Sequence, residues 1–386
     1  MKAGWQTKRL GDVCEIIKGR KPALKETPSN GDLPYLVAKV IRGSKVAEYA
    51  SVKDKNSISV DESETIIICD GSNSGEVFTG FHGILSSTMG KISKKEEIDD
   101  DYLRAFLSST FEVFNGAKTG AAIPHLDKEA MFQLEFPLPS LPEQQRIVGM
   151  LNKAFDGIAI AKANAEKNLL NARALFDNQL QSVFTERGEG WVEKRLDEIA
   201  KEFGRGKSKH RPRNHPKLYG GHYPFIQTGD ISNADHWLTN YSQTYSDVGL
   251  AQSRLWPKGT ICIAIVGATV GETAILDFDA CFPDSVIGII VNEQIADNEY
   301  VEYLLQSFKA LLKEKGKGTA RDNINLGTFE CQRFPFPSLK RQKEIVFTLN
   351  ALQEETKRLE SIYNQKLTAL DALKKSLLDQ AFTGQL

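Results

Sequence analysis

The sequence predicts a mixed α/β (α+β) protein made by internal duplication: two globular domains, each followed by a long helix, with the two helices pairing as an intramolecular coiled coil. Three observations lead there. Segments recur in the same order in the two halves of the chain, short β-branched runs are confined to one part of each repeat, and a heptad pattern fills the other part.

The duplication is direct to read. Trp5, Lys8, Arg9 and Leu10 recur in the same spacing as Trp191, Lys194, Arg195 and Leu196. TIIICDGSNSGE (65–76) lines up with TICIAIVGATVGE (260–272) across a one-residue gap. From Phe136 to Thr185 the copies run without a gap against Phe334 to Thr383, with 16 of 50 positions identical. The first part of each copy, 1–139 and 188–337, contains TIIIC, TICIAIV and VIGIIV, runs suited to buried strands joined by long loops. The second part, 140–187 and 338–386, is nearly free of glycine and reads as one long helix in each copy.

Within those helices apolar residues return every 3.5 positions on average, the period of a supercoiled seam. In the second copy the seam is Ile345, Leu349, Leu352, Leu359, Tyr363, Leu370, Leu373 and Leu377. In the first it is Ile147, Leu151, Ile158 and Leu175, with alanines between; Asn168 here and Lys366 in the second copy are single polar seam positions, which cost stability but can fix register. Small residues on one helix against large ones on the other suit a pair of unlike helices, here the two copies of one chain. Each helix is preceded by Phe-Pro-x-Pro-Ser-Leu, whose prolines are expected to forbid a strand or helix through them. Ser140 with Glu143 then predicts a capping box, incomplete in the second copy where Arg341 replaces the acid.

Bulk properties narrow the function. Net charge is −1, with 24 Lys/Arg against 26 Asp/Glu in residues 1–190 and 25 against 24 in residues 191–386. Nucleic-acid binding therefore has to come from local basic clusters. No apolar run approaches the ~20 residues of a membrane helix. The five cysteines include no C-x-x-C pair and predict free thiols in a reducing cytoplasm.

Order, spacing and duplication together resemble the specificity subunits of type I restriction-modification enzymes, over essentially the whole chain. The resemblance rests on Pro137, Pro139, Leu141, Glu143 and Gln144 opening the first helix, AFTGQL (381–386) ending the second, and YPFIQTGDIS (223–232), expected as a strand. The first copy has LPYLVAKVIRG (33–43) at that place and lacks Gly-Asp. The resemblance implies two target-recognition domains, antiparallel helices acting as a spacer, and a pseudo-two-fold arrangement that reads a bipartite, asymmetric double-stranded DNA site. It implies no catalysis and no bound cofactor in this chain. S-adenosylmethionine, ATP and Mg would belong to two modification and two restriction subunits, partners in defence against phage.

Candidate DNA contacts follow from charge and spacing. Arg205, Lys207, Lys209, Arg211 and Arg213, with His210, alternate so that an extended segment puts the cations on one side. Lys18, Arg20, Lys21 and Lys25 occupy the same place in the first copy. Lys39 and Arg42 follow the first copy's strand motif, and Thr228 lies in the second's. KTGAAIPHL (118–126) and KGTARDNINL (317–326) add Lys118, His125, Lys317, Arg321 and Asn323, types that suit bases in the major groove. The turns 71–76 and 267–272 offer glycines that let backbone approach a phosphate.

Enzymatic readings find less support. Asp32-Leu33-Pro34-Tyr35 lacks the second proline of an amino-methyltransferase loop, and GRGKS (204–208) lacks the first glycine of a phosphate loop. No His/Cys spacing suits a metal. The remaining alternative is a coiled-coil adaptor that binds only protein, for which matched basic loops in both copies have no use.

Overall fold

The computed structural model describes residues 4–111, 113, 125–210, 212–316, 324, 326–330 and 332–386. The chain divides into two compact units, Met1–Glu166 with Asn364–Leu386, and Lys167–Tyr363. Each unit therefore holds one globular part and half of each long helix.

In the first unit, Gln6–Arg9 pairs antiparallel with Glu135–Leu138, joining the start of the globular part to its end. Cys14–Lys18 then lies beside Met89–Lys94, followed by Ile66–Ile68 and Val77–Phe78, in a four-stranded sheet. A five-stranded sheet of shorter strands adds Asp32–Leu36 parallel to Gly83–Leu85. The second unit repeats the plan. Val192–Lys194 pairs with Phe334–Phe336, and Ala200–Arg205 lies beside Val286–Val291, Ile261–Ala264, Thr273–Leu276 and Trp237–Leu238. Tyr219–Phe225 pairs parallel with Ala280–Cys281 in a four-stranded sheet. The continuous apolar runs become central strands because both of their faces are covered: Ile66, Ile67 and Ile68 are buried, as are Ile261 to Ala264.

One strand expectation needs correction. YPFIQTGDIS is strand only up to Phe225, and Thr228–Ser232 is a short helix whose Asp230 carboxylate accepts from the Gln227 N–H at 2.7 Å. The first copy makes the same strand and helix, Asp32–Leu36 and Ala38–Ile41, without Gly-Asp.

The long helices are Leu141–Thr185 and Leu339–Thr383. In each unit they run antiparallel. Arg146 donates to the carbonyl of Leu386 and Lys162 pairs with Asp371 at 2.6 Å in the first unit, and Arg173 pairs with Glu360 at 2.9 Å in the second. Each helix is fixed at its start by a buried glutamine. Gln144 donates to Pro139 O at 2.9 Å and accepts from Asp99 N at 2.9 Å; Gln342 donates to Pro337 O at 2.9 Å and accepts from Asp297 N at 2.8 Å. Asp99 and Asp297 in turn cap helices Asp100–Ser109 and Asn298–Ser307.

The seam departs from the heptad in the second half of each helix. Ile147, Leu151 and Ile158 are buried in the first helix, Ile345 and Leu349 in the second, while Leu352, Leu359, Tyr363, Leu370 and Leu377 are half-buried. Leu175 and Leu373, however, are 54% and 47% exposed, and Asn168 and Lys366 are exposed too. An α-helix drifts ~20° per heptad against a strict 3.5 repeat. Ala165 and Ala172 keep the first helix's seam buried into the fourth heptad, and from the fifth the inward face has passed to Leu180 and Phe184 in one helix, and to Leu378 and Ala381 in the other. The polar pair thus carries no seam cost. At the helix starts, Glu143 engages Arg146 at 2.7 and 3.0 Å, and in the second copy the Ser338 hydroxyl accepts from Arg341 N.

Cys14, Cys69, Cys262 and Cys281 are buried free thiols, and Cys331 lies outside the described residues. Among the described residues no helix is long and apolar enough to cross a membrane.

Candidate nucleic-acid interface

The basic segments of the two units leave the sheet at the same structural point. Arg205 ends its strand, Gly206 and Ser208 turn inward, and Lys207 and Lys209 stay exposed beside Arg205. Gly206 N donates to Val286 O at 2.9 Å and Lys207 N to Phe282 O at 3.1 Å. A Cβ on Gly206 would stand 2.3 Å from Phe282 O, so only glycine lets the chain pass here. In the first unit Gly19 N donates to Met89 O at 2.8 Å, and a Cβ on it would stand 2.2 Å from Ser86 O. Lys18 and Arg20 therefore flank Gly19 as Arg205 and Lys207 flank Gly206. Lys21 is exposed next to them.

The expected five-cation row is shorter than its spacing suggested. Arg213 lies beyond a turn and pairs with Asp284 at 2.7 Å. His210 is half-buried, its N–H bonded to Gln252 and its ring edge-on to His215. Arg211, Lys118, Lys317, Arg321 and Asn323 lie outside the described residues. Lys39 is exposed, Arg42 pairs with Glu76, and Thr228 is half-buried at the first position of its short helix.

Asp70, which the sequence does not mark, gathers two expected contacts. It holds Lys18 Nζ at 2.8 Å and His125 Nδ1 at 2.8 Å. Burial alone would raise its pKa, but the hydrogen bonds from Lys18 and His125 outweigh that and hold it below the usual carboxylate range. The turns that follow are alike in both units. Gly71 and Gly75, and Gly267 and Gly271, all take φ between +64° and +117°, which accounts for their identity.

A second polar cluster was also missed. His236, the one described non-glycine residue with positive φ, is buried with Nδ1 2.5 Å from Glu302 and Nε2 3.2 Å from Glu299. Glu302 further accepts from Thr273 at 2.7 Å, and Tyr303 stacks on the imidazole at 4.2 Å. Desolvation would lower the His236 pKa, but the two carboxylates raise it. The cleft of about 850 Å³ beside it holds three ion pairs, Arg173 with Glu360, Lys309 with Glu272 and Lys357 with Asp235, along with Asp177.

The chain thus carries two sheet domains, each ending a strand in a glycine-hinged basic edge and each tied to a long helix by the same Asp-Gln clamp. Its sequence matches the profile of the type I restriction modification DNA specificity domain twice, over residues 2–171 and 188–369, and the chain belongs to that family. It is 28% identical to the MjaVIII specificity subunit of Methanocaldococcus jannaschii, over 99% of this chain and 93% of that protein. It is 23% identical to the EcoBI specificity subunit of Escherichia coli, over 99% and 86%. Its fold is similar to a chain from a structure of the assembly and conformational transition of the type I R-M system (TM-score 0.78, 19% identity, 100% and 99% covered). The HsdS subunit of Thermoanaerobacter tengcongensis also shares it (TM-score 0.61, 18% identity, 100% and 98% covered).

Proposed function

We propose that this chain is the DNA-reading specificity subunit of a type I restriction-modification complex, recognising a bipartite, asymmetric site and catalysing nothing itself. The observation that carries the reading is the repeated basic edge, Lys18-Gly19-Arg20 in one unit and Arg205-Gly206-Lys207 in the other. Lysine and arginine at these edges contact phosphates and fix register, while neighbouring loops contact base edges. The functional division is 1–139 and 188–337 as recognition domains, with 140–187 and 338–386 as the helical spacer under a pseudo-two-fold axis. Unlike domains so arranged read unlike half-sites. Two modification subunits carrying S-adenosylmethionine and two restriction subunits using ATP and Mg supply the chemistry in the cytoplasm. Kinship to a chain solved in an assembled type I system supports such partners.

The test is DNA binding by the complex with its methyltransferase partner across a salt series. Changing Arg205, Lys207 and Lys209 together to Ala is expected to weaken binding and flatten the log–log salt slope by up to ~3. Assembly with the methyltransferase should persist. An unchanged slope removes this edge from the interface, and no DNA binding by the wild-type complex leaves a protein-only adaptor.

A further inference from the structure

Asp70 stands between two groups on the first unit's edge, and its two oxygens serve them separately, Oδ2 for Lys18 and Oδ1 for His125. The main chain fixes both ends of the His125 bond. Asp70 and His125 form an antiparallel bridge, and Leu126 N donates to Cys69 O at 2.8 Å. The Asp70 side chain is 16% exposed and that of His125 is 69% exposed. Nδ1 therefore turns inward to the carboxylate while the Nε2 side of the ring faces solvent. An ionised carboxylate only accepts hydrogen bonds, so Nδ1 must carry the proton. In a neutral imidazole protonated at Nδ1, Nε2 is left as a lone-pair acceptor.

We infer that Asp70 is a positioning residue that holds His125 in its Nδ1–H tautomer, so that Nε2 accepts from the exocyclic amine of adenine or cytosine in the major groove of the first domain's half-site. This deepens the DNA-reading function proposed above and rests on it. Adenine and cytosine present amine donors in that groove, whereas guanine O6 and thymine O4 are acceptors and meet Nε2 with no proton between them. Lys18, sharing the carboxylate, offsets its negative charge where phosphates approach. Exposed Arg20 and Lys21 beside it are placed for those phosphates.

The second domain is built differently at this point. Its turn aligns Val266 with Asp70, and Ile324 N bonds to Ile265 O at 3.2 Å as Leu126 does to Cys69. Valine has no group to orient a partner. The two domains differ in this reader, as unlike half-sites require.

The experiment is site selection from duplexes randomised in both half-sites, by the complex with its methyltransferase partner, at pH 8. The wild type should enrich adenine or cytosine at one position of one half-site. His125→Ala should relax that position about threefold to tenfold, the scale of one hydrogen bond, with the other half-site untouched. Asp70→Asn is isosteric, and its amide can donate to Nδ1, which moves the proton to Nε2. Preference should then shift toward guanine or thymine. Should Asp70→Asn fail to fold, the surface change His125→Ala decides alone. An even loss of affinity over all sequences with a shallower salt slope would make His125 a phosphate contact and overturn the inference. Unchanged preferences in both variants overturn it too, whereas a wild type that enriches no sequence overturns the DNA-reading function itself.

Discussion

His236 keeps a left-handed backbone at φ +67° because its ring is locked between Glu302 and Glu299 and stacked on Tyr303. Leaving the buried Glu302 carboxylate, beside half-buried Glu299, without its cation costs about 3–5 kcal/mol. His236→Asn, which tolerates the backbone, should lower stability in urea by that order at pH 6. The folded-state pKa is raised above that of the unfolded chain. The ion pairs therefore contribute fully below about pH 6.5 and fade as pH rises through the folded value. The gap between wild type and His236→Asn should narrow toward pH 9; a gap that widens would place the neutral imidazole in the fold. Neither His236 nor Asp70 was legible in the sequence, since their partners lie 66 and 55 residues away. Arg205, Lys207 and Lys209 were legible, because alternation along an extended segment is a local property.

At the scale of elements, the long helices were read correctly as helices and as antiparallel partners, but their inward face was not read throughout. A 3.5 repeat and a 3.6 helix agree for about four heptads and then part. The consequence is measurable. Leu349→Ala, fully buried in the second helix, should cost about 2–5 kcal/mol in chemical denaturation. Leu175→Ser, on the exposed side of the first, should stay within about 0.5 kcal/mol. Comparable losses would restore the strict heptad. The Asp99–Gln144 and Asp297–Gln342 clamps explain the glutamine in the helix-opening motif. The motif was visible in sequence, whereas its partners, 45 residues away, were not.

For the whole molecule, duplication decides the function. Each copy carries its own sheets, its own basic edge and its own clamp to a helix, so each domain should read DNA without reference to the other. Fold and duplication were legible because repeats and apolar runs are properties of the chain alone; the division of labour among loop residues depends on what folding brings together. The central claim is independence of the two readers. It is tested by replacing residues 1–139 with the matching domain of a relative that has a different target. The incoming domain must present a backbone N–H, hence any residue but proline, in the place of Asp99, so that Gln144 is still engaged. Methylated adenines are then mapped genome-wide with the methyltransferase partner present. The account predicts that one half of the recognised site changes while the other half and the spacer stay the same. A change in both halves, or in neither, would contradict it.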